Sequence, residues 1–338
     1  MTATVRDVAR LAGVSAMTVS RVINGQPGVS AETRQRIEAA IAELDYAPSK
    51  VASSLISQKT GLIGMIVPDV SNPFFGPIVR GAETTARRAG FKLLLCNSES
   101  DLRLEREYVT DLISHRVEGL LIAPVGDSSR QNLGRYVAGN FPIVLLDRLI
   151  AGLDCDSVTL DNIDGARQLV AHLIAVGHRR IAFVTDADEV STGRQRLAGY
   201  RKAIEDAGLP FDEDLVFHTT TDQMGGYRAA QQVLAAAERP SAIFAVNNMT
   251  AVGVMQALRQ ANITVPDDMA LACFDDVQHL AVISPFLTVF DQPAEDMSKA
   301  AMQLLLERIG GTAGKQARTV TFPGKLIVRV SSALPKRG

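Results

Sequence analysis

VRDVARLAGVSAMTVSRVIN, residues 5–24, reads as two short helices joined by a tight turn. Val5, Val8, Ala9 and Ala12 fall on one helical face, and Gly13 stands where a left-handed cap stops the helix. Ser15 is placed to cap the next helix, on which Val19, Val22 and Ile23 face inward while Met17, Thr18, Arg21 and Asn24 stay outside. An apolar inner face behind a polar, basic outer face is what a helix-turn-helix needs to enter the major groove of DNA. The competing reading is a helical hairpin in an ordinary core. After the turn Gln26-Pro27-Gly28, Ser30 caps a third helix whose stripe is Ile37, Ala40, Ile41 and Leu44. Tyr46-Ala47-Pro48 ends the unit, because the residue before a proline is pushed out of helical geometry.

Ser49 to Ser57 has helical spacing, with Val51, Ala52, Leu55 and Ile56 on one side, but spans only two turns. A helix that short is marginal in water. It is expected to order only against a groove and a second copy of itself; the alternative is a plain serine-rich linker. From Gly61 onward strands and helices alternate. Short apolar runs at Leu62 to Val67, Phe91 to Cys96, Gly119 to Ala123 and Ile143 to Leu146 are strands, with helices near Phe75 to Ala89 and Glu105 to His115. A second cycle opens near Asp161, with strands Ile181 to Val184, Ala242 to Val246 and Met269 to Phe274. Its helices lie near Ala166 to Val176, Arg196 to Ala207, Gly226 to Ala236 and Ala251 to Ala261. The pattern is that of two doubly wound α/β sheets in series, making two lobes with a cleft between them.

Composition bounds the function. At 338 residues and 46% hydrophobic content, the chain can bury more than one core. The net charge is −2, yet residues 1–60 carry seven basic against five acidic side chains, a small excess that permits phosphate contact. Cys96, Cys155 and Cys273 have no paired or metal-like spacing, which suits reduced thiols in a cytoplasm. No apolar run approaches a membrane span, and Arg6, Asp7 and Arg10 stand where a signal peptide would be apolar. A cytoplasmic protein with no membrane partner is expected. No strand leads into a dinucleotide glycine fingerprint, and Gly310-Gly311-Thr312-Ala313-Gly314-Lys315 lacks the spacing of a phosphate loop. His115, His172, His178, His218 and His279 are scattered, and His178 reads as a turn residue before a strand. No enzyme, cofactor or metal site is expected.

In open α/β sheets, ligands collect at the carboxyl ends of strands. There this chain places Asp69 and Asn72-Pro73-Phe74-Phe75, Asp147-Arg148, Asn247-Asn248 and Asp275-Asp276, with Arg196 beyond the Ile181 strand. Aromatic walls with carboxylates, amides and an arginine suit a hydroxyl-rich ligand, since each hydroxyl both donates and accepts. Taken singly, each of these residues fits a turn or cap equally well.

The runs VRDVARLAGVSAMTVSRVIN, VSAETRQRIEAAIAELDYAPS, VASSL, SNPFF, HLIAVGHRRIAF, RLAGY and FDD resemble the lactose/galactose repressor family of bacterial transcription regulators along nearly the whole chain. The resemblance implies a small all-α helix-turn-helix domain over residues 1–47, a hinge helix and linker over 48–60, and a two-lobed α/β effector-binding and dimerisation core over 61–338. That core would have the doubly wound plan of periplasmic sugar-binding proteins. The resemblance further implies a homodimer on double-stranded operator DNA, with a small effector, expected to be a sugar, altering DNA affinity. The alternatives are a sugar sensor without sequence-specific DNA binding and a corepressor-type regulator with a non-sugar effector. Carried over by residue, it puts Ala16, Met17 and Arg21 on base edges. Thr4, Ser15, Thr18, Ser20 and Asn24 then sit at phosphates or in support, and Leu55 is the minor-groove wedge. Effector contacts fall at Asp69, Phe74, Asp147, Arg196, Asn247, Asp275 and Gln292, to which the strand-end reading adds Asn72 and Phe75. Thr221 stands where some sugar-binding members carry a large aromatic, and Asn248 where the family usually has aspartate.

Overall fold

The computed structural model describes residues 3–23, 25–46, 60–186, 189–276 and 286–334. The chain divides into two units, Met1–Thr60 and Gly61–Gly338. In the first, α1 (Val5–Ala12), α2 (Ala16–Ile23) and α3 (Ala31–Glu43) enclose a core in which Val8, Val19 and Ile37 are fully buried. Local chemistry sets each boundary. The Asp7 carboxylate accepts from the Thr4 N–H at 3.0 Å and the Thr4 hydroxyl at 2.6 Å, tying the start of α1. Gly13 ends that helix at φ 65°, and the Thr18 and Thr33 amides donate to the capping hydroxyls of Ser15 and Ser30.

The second unit carries two six-stranded sheets of the same order. The first lobe holds β1 (Leu62–Val67), β2 (Lys92–Asn97), β3 (Leu120–Ile122), β4 (Ile143–Leu146) and β5 (Asp156–Leu160), with α4 (Phe75–Arg88), α5 (Leu102–Ser114) and α6 (Arg130–Ala138). The second holds α7 (Asn162–Val176), β6 (Ile181–Thr185), α8 (Ser191–Asp206), β7 (Val216–His218), α9 (Gln223–Ala235), β8 (Ala242–Ala245), α10 (Asn248–Gln260), β9 (Ala270–Phe274) and β10 (Thr288–Asp291). The chain then runs through α11 (Ala294–Ile309), β11 (Thr319–Phe322) and β12 (Lys325–Ile327). The sheets read β2-β1-β3-β4-β5-β11 and β7-β6-β8-β9-β10-β12, all parallel except β12 against β10.

The lobes are therefore not simply in series. After β10 the chain returns to lobe one, where α11 packs on α4 and β11 pairs with β5, before β12 closes the second sheet. The helix contact is close because position 81 is glycine: a Cβ there would lie 2.2 Å from Ser298 Oγ. Three crossings of the chain thus join the lobes, near residues 161, 292 and 323. A buried ion cluster anchors the return: Asp156, at the start of β5, accepts from Arg308 on α11 (2.9 and 2.7 Å) and from the Arg318 guanidinium (2.9 Å) and amide (2.8 Å).

Helices α7, α8 and α10 begin three to five residues earlier than their apolar periodicity indicates, since their first turns are largely polar. Asp161 caps α7 through the Asp164 amide and Asn247 caps α10 through the Thr250 amide.

Candidate functional site

Corresponding strands of the two sheets end in corresponding residues. The fourth strands, β4 and β9, finish at Asp147 and Asp275, whose φ values are 67° and 69°. Each of these amides donates to the next strand, Asp147 to Val158 O at 2.8 Å and Asp275 to Phe290 O at 3.0 Å. A left-handed non-glycine residue costs about 1–3 kcal/mol, and such strain persists only where the surroundings fix it. Here it accompanies two carboxylates that enter one cavity from opposite lobes.

That cavity is lined by Asn72, Phe74, Phe75, Asp147 and Arg148 from lobe one and by Asp186, Thr192, Arg196, Thr221, Val246, Asn247, Asp275 and Gln292 from lobe two. Nine of the ten expected effector residues meet there. Asp69 does not: one carboxylate oxygen accepts from the Ser71 amide and hydroxyl at 2.8 and 2.6 Å, closing the turn after β1. Phe74 and Phe75 pack edge to face, 5.2 Å between centroids, and Asn72 accepts from the Phe74 amide at 3.0 Å. Arg196 donates to Asn162 Oδ1 (2.9 Å) and Val246 O (2.6 Å), with its guanidinium 3.9 Å above the Phe274 ring. Asn247 donates to Thr221 O at 3.1 Å, and Gln292 donates to Asp275 at 2.5 Å.

Three lining atoms are buried without a hydrogen-bond partner among the described residues: Asp147 Oδ1, Arg148 Nε and Gln292 Oε1. The Arg148 guanidinium is held at 3.2 and 3.3 Å from the carbonyls of Pro124 and Val125, and its Nε lies 3.9 Å from Asp147 Oδ2. Burial pushes the carboxyls of Asp147 and Asp186 up, with Arg148 and Arg196 pulling the other way; Asp275 is pushed up to about 6, against the pull of Arg196 and Gln292. A bound group that donates to Asp147 and Gln292 while accepting from Arg148 would satisfy all three orphaned atoms, and hydroxyls do both.

Asp186, Thr192 and Val246 were not among the expected residues, and Arg148 was named at its strand end but not among the effector contacts. Arg148 adjoins Asp147, and Asp186 directly follows β6, so the strand-end rule itself reaches them. Thr192 is hidden in a helical turn that carries no apolar signal. Asn248 is not in the lining; it is 1% exposed, and neither amide atom finds a partner among the described residues. His178 is more than a turn residue: it is fully buried, bonded to Ser241 Oγ at 2.9 Å and to Ser332 O at 3.3 Å, and burial lowers its pKa. Among the described residues no His, Cys, Asp and Glu cluster could hold a metal ion.

On the helical unit, Met17 (69% exposed) and Arg21 stand out from α2, with Ala16, Thr18 and Ser20 half-buried beside them. Asn24 and Leu55 lie outside the described residues. Residues 4–49 match the bacterial regulatory proteins of the lacI family, and residues 170–332 match a periplasmic binding protein-like domain. The chain is 38% identical to the ribose operon repressor of Escherichia coli (strain K12) over 323 residues, 95% of this chain and 97% of the relative. The chain belongs to the lacI family. It superposes on the Lac repressor dimer bound to operator and the anti-inducer ONPF with a TM-score of 0.85 at 29% identity, covering 98% of this chain and 100% of the other. A lacI family regulator from Enterococcus faecium with bound ribose superposes with a TM-score of 0.70 at 28% identity, covering 81% of this chain and 100% of that one. This lacI family member is thus a DNA-binding transcriptional regulator with a ligand-binding core, and its relatives are repressors. Among the described residues no helix is long and apolar enough to cross a membrane.

Proposed function

We propose that the protein is a cytoplasmic, homodimeric repressor whose operator affinity is set by a sugar held between the lobes of the core, with D-ribose the first candidate. The observation that carries this reading is the cavity lining. Two strained aspartates, two arginines, three carboxamides and a phenylalanine pair converge there, and three polar atoms have no partner among the described residues. The named ribose relatives favour a pentose. Thr221, in place of a large side chain, favours a polar floor.

In the same reading α2 enters the major groove with Ala16, Met17 and Arg21 on base edges. Thr4, Ser15, Thr18, Ser20 and Asn24 sit at or near phosphates. Residues 48–60 form the hinge, with Leu55 prying open a central base step. A change of angle between lobes would alter the cost of ordering two hinges at once, which links effector to DNA. Two exposed apolar surfaces support a dimer: Leu94 and Leu95 on the edge strand β2, and Met224 and Val252 on the adjacent helices α9 and α10.

The test is operator and random-DNA binding across a salt series, with and without a sugar panel led by D-ribose. The proposal requires an operator preference that one sugar modulates; a salt-dependent affinity indifferent to sequence and sugar would rule it out.

A further inference from the structure

Besides the three chain crossings, the lobes meet along a rim made by the loops after β3 and β4 and the first turn of α8. The Asp127 amide donates to Glu189 O at 3.0 Å, and the Asp127 carboxylate holds Arg194 at 2.9 Å. The Leu149 amide donates to Ser191 Oγ at 2.8 Å, and Ser128 Oγ to the Glu189 carboxylate at 3.3 Å. Lobe one presents a braced surface here. The second Asp127 oxygen accepts from the Ala151 amide at 2.9 Å, and the fully buried Glu105 accepts from the Val125 amide (2.9 Å) and Ser129 Oγ (2.8 Å). Gly126 allows the approach, since a Cβ there would lie 3.0 Å from Glu189 O.

These contacts bridge the lobes away from the chain crossings, so opening the cleft at this rim would break them. Helix α8 joins them to the cavity, because Ser191 and Arg194 face the rim while Thr192 and Arg196 line the cleft. We propose that the Asp127–Arg194 and Leu149–Ser191 contacts form a latch that holds the cleft closed and sets effector affinity from outside the cavity. Effector release requires the latch to open, and the bound form inherits its closing tendency, so weakening it lowers apparent affinity in proportion to the closed fraction lost.

Amide hydrogen exchange on the full-length dimer tests this without any ligand. In the wild-type protein the Asp127 and Leu149 amides, whose acceptors belong to the opposite lobe, are expected to exchange far more slowly than open loop amides. Arg194→Ala and Asp127→Asn should each speed them by about fivefold, the scale of a part-exposed ion pair, while Arg194→Lys keeps most of the protection. Gly126→Ala, which leaves every charge in place and presses on Glu189, should also speed them, and melting temperatures check that all variants are folded. Loop-like exchange in the wild type, or no change in Arg194→Ala and Gly126→Ala, would overturn the latch. D-ribose added to the wild type should slow both amides further. If no sugar acts but the variant pattern holds, the latch stands and the sugar assignment of the proposed function falls.

Discussion

Arg21 and Asp275 are the residues on which the two ends of the protein can be tested singly. Arg21 is exposed on the outer side of α2, next to Met17. If it makes a bidentate contact with a guanine, Arg21→Ala should weaken operator binding by about 1–3 kcal/mol and relax the preference at one base pair. An equal loss on every sequence, seen in a mutated-operator titration, would place it on phosphate instead. Asp275 is held at about 6 against an ordinary 3.8, so it keeps its proton more tightly in the fold. Its contribution to stability is therefore greatest below 3.8 and is lost as pH rises through about 6. A sugar hydroxyl donating to this carboxylate favours the ionised form. Effector binding should release a proton near pH 6, and affinity should fall as pH drops below that value. Calorimetry in two buffers of different ionisation enthalpy measures the release, and flat affinity with no proton exchange between pH 5 and 7.5 would remove Asp275 from the contact set.

Among the elements, legibility in the sequence followed apolar content. Strands β1, β4, β6 and β8 lie in sheet interiors and are almost wholly apolar, so their runs read directly. Strand β5 was hidden because it opens on Asp156, a carboxylate that looks exposed in sequence and is buried only because Arg308 and Arg318 come back to it from about 150 residues downstream. The crossing of α11 and β11 into lobe one was equally invisible, since it depends on that non-local pairing and on Gly81 admitting Ser298. The strand-end residues were easier to place than the topology because strand ends, unlike pairings, are local. Burial pushes Asp156 up, but hydrogen bonds from both arginines outweigh it and hold the carboxyl below the usual range. Its stabilisation is present above 3.8 and lost as pH falls through the lower folded value. Asp156→Ala should cost about 3 kcal/mol in urea unfolding, at the lower end for a broken buried pair because both guanidinium groups are partly exposed. A loss within experimental error would mean that α11 is held by its apolar face alone.

At the scale of the whole molecule, the question is how a ligand in the core reaches a groove-reading helix in a separate unit. The proposed dimer provides the arithmetic. Two helical units tethered to one dimer bind the second half-site at a high effective concentration, which raises affinity by about 10²–10⁴ without new contacts. Anything that separates the protomers forfeits that gain, whatever it does to a single site. Leu95 is 43% exposed on edge strand β2, on the opposite face from Leu94, where a charge would oppose pairing with a second copy. Leu95→Glu should therefore shift sedimentation toward monomer and weaken operator binding by about 10²-fold or more. Sugar affinity should stay within about twofold of wild type, because the cavity lies within one chain and β2 contributes nothing to its lining. A dimer that persists would move the interface to the Met224 and Val252 surface. A monomer that still binds operator as tightly as the wild type would show that each half-site is read alone, and that the effector acts within a single protomer.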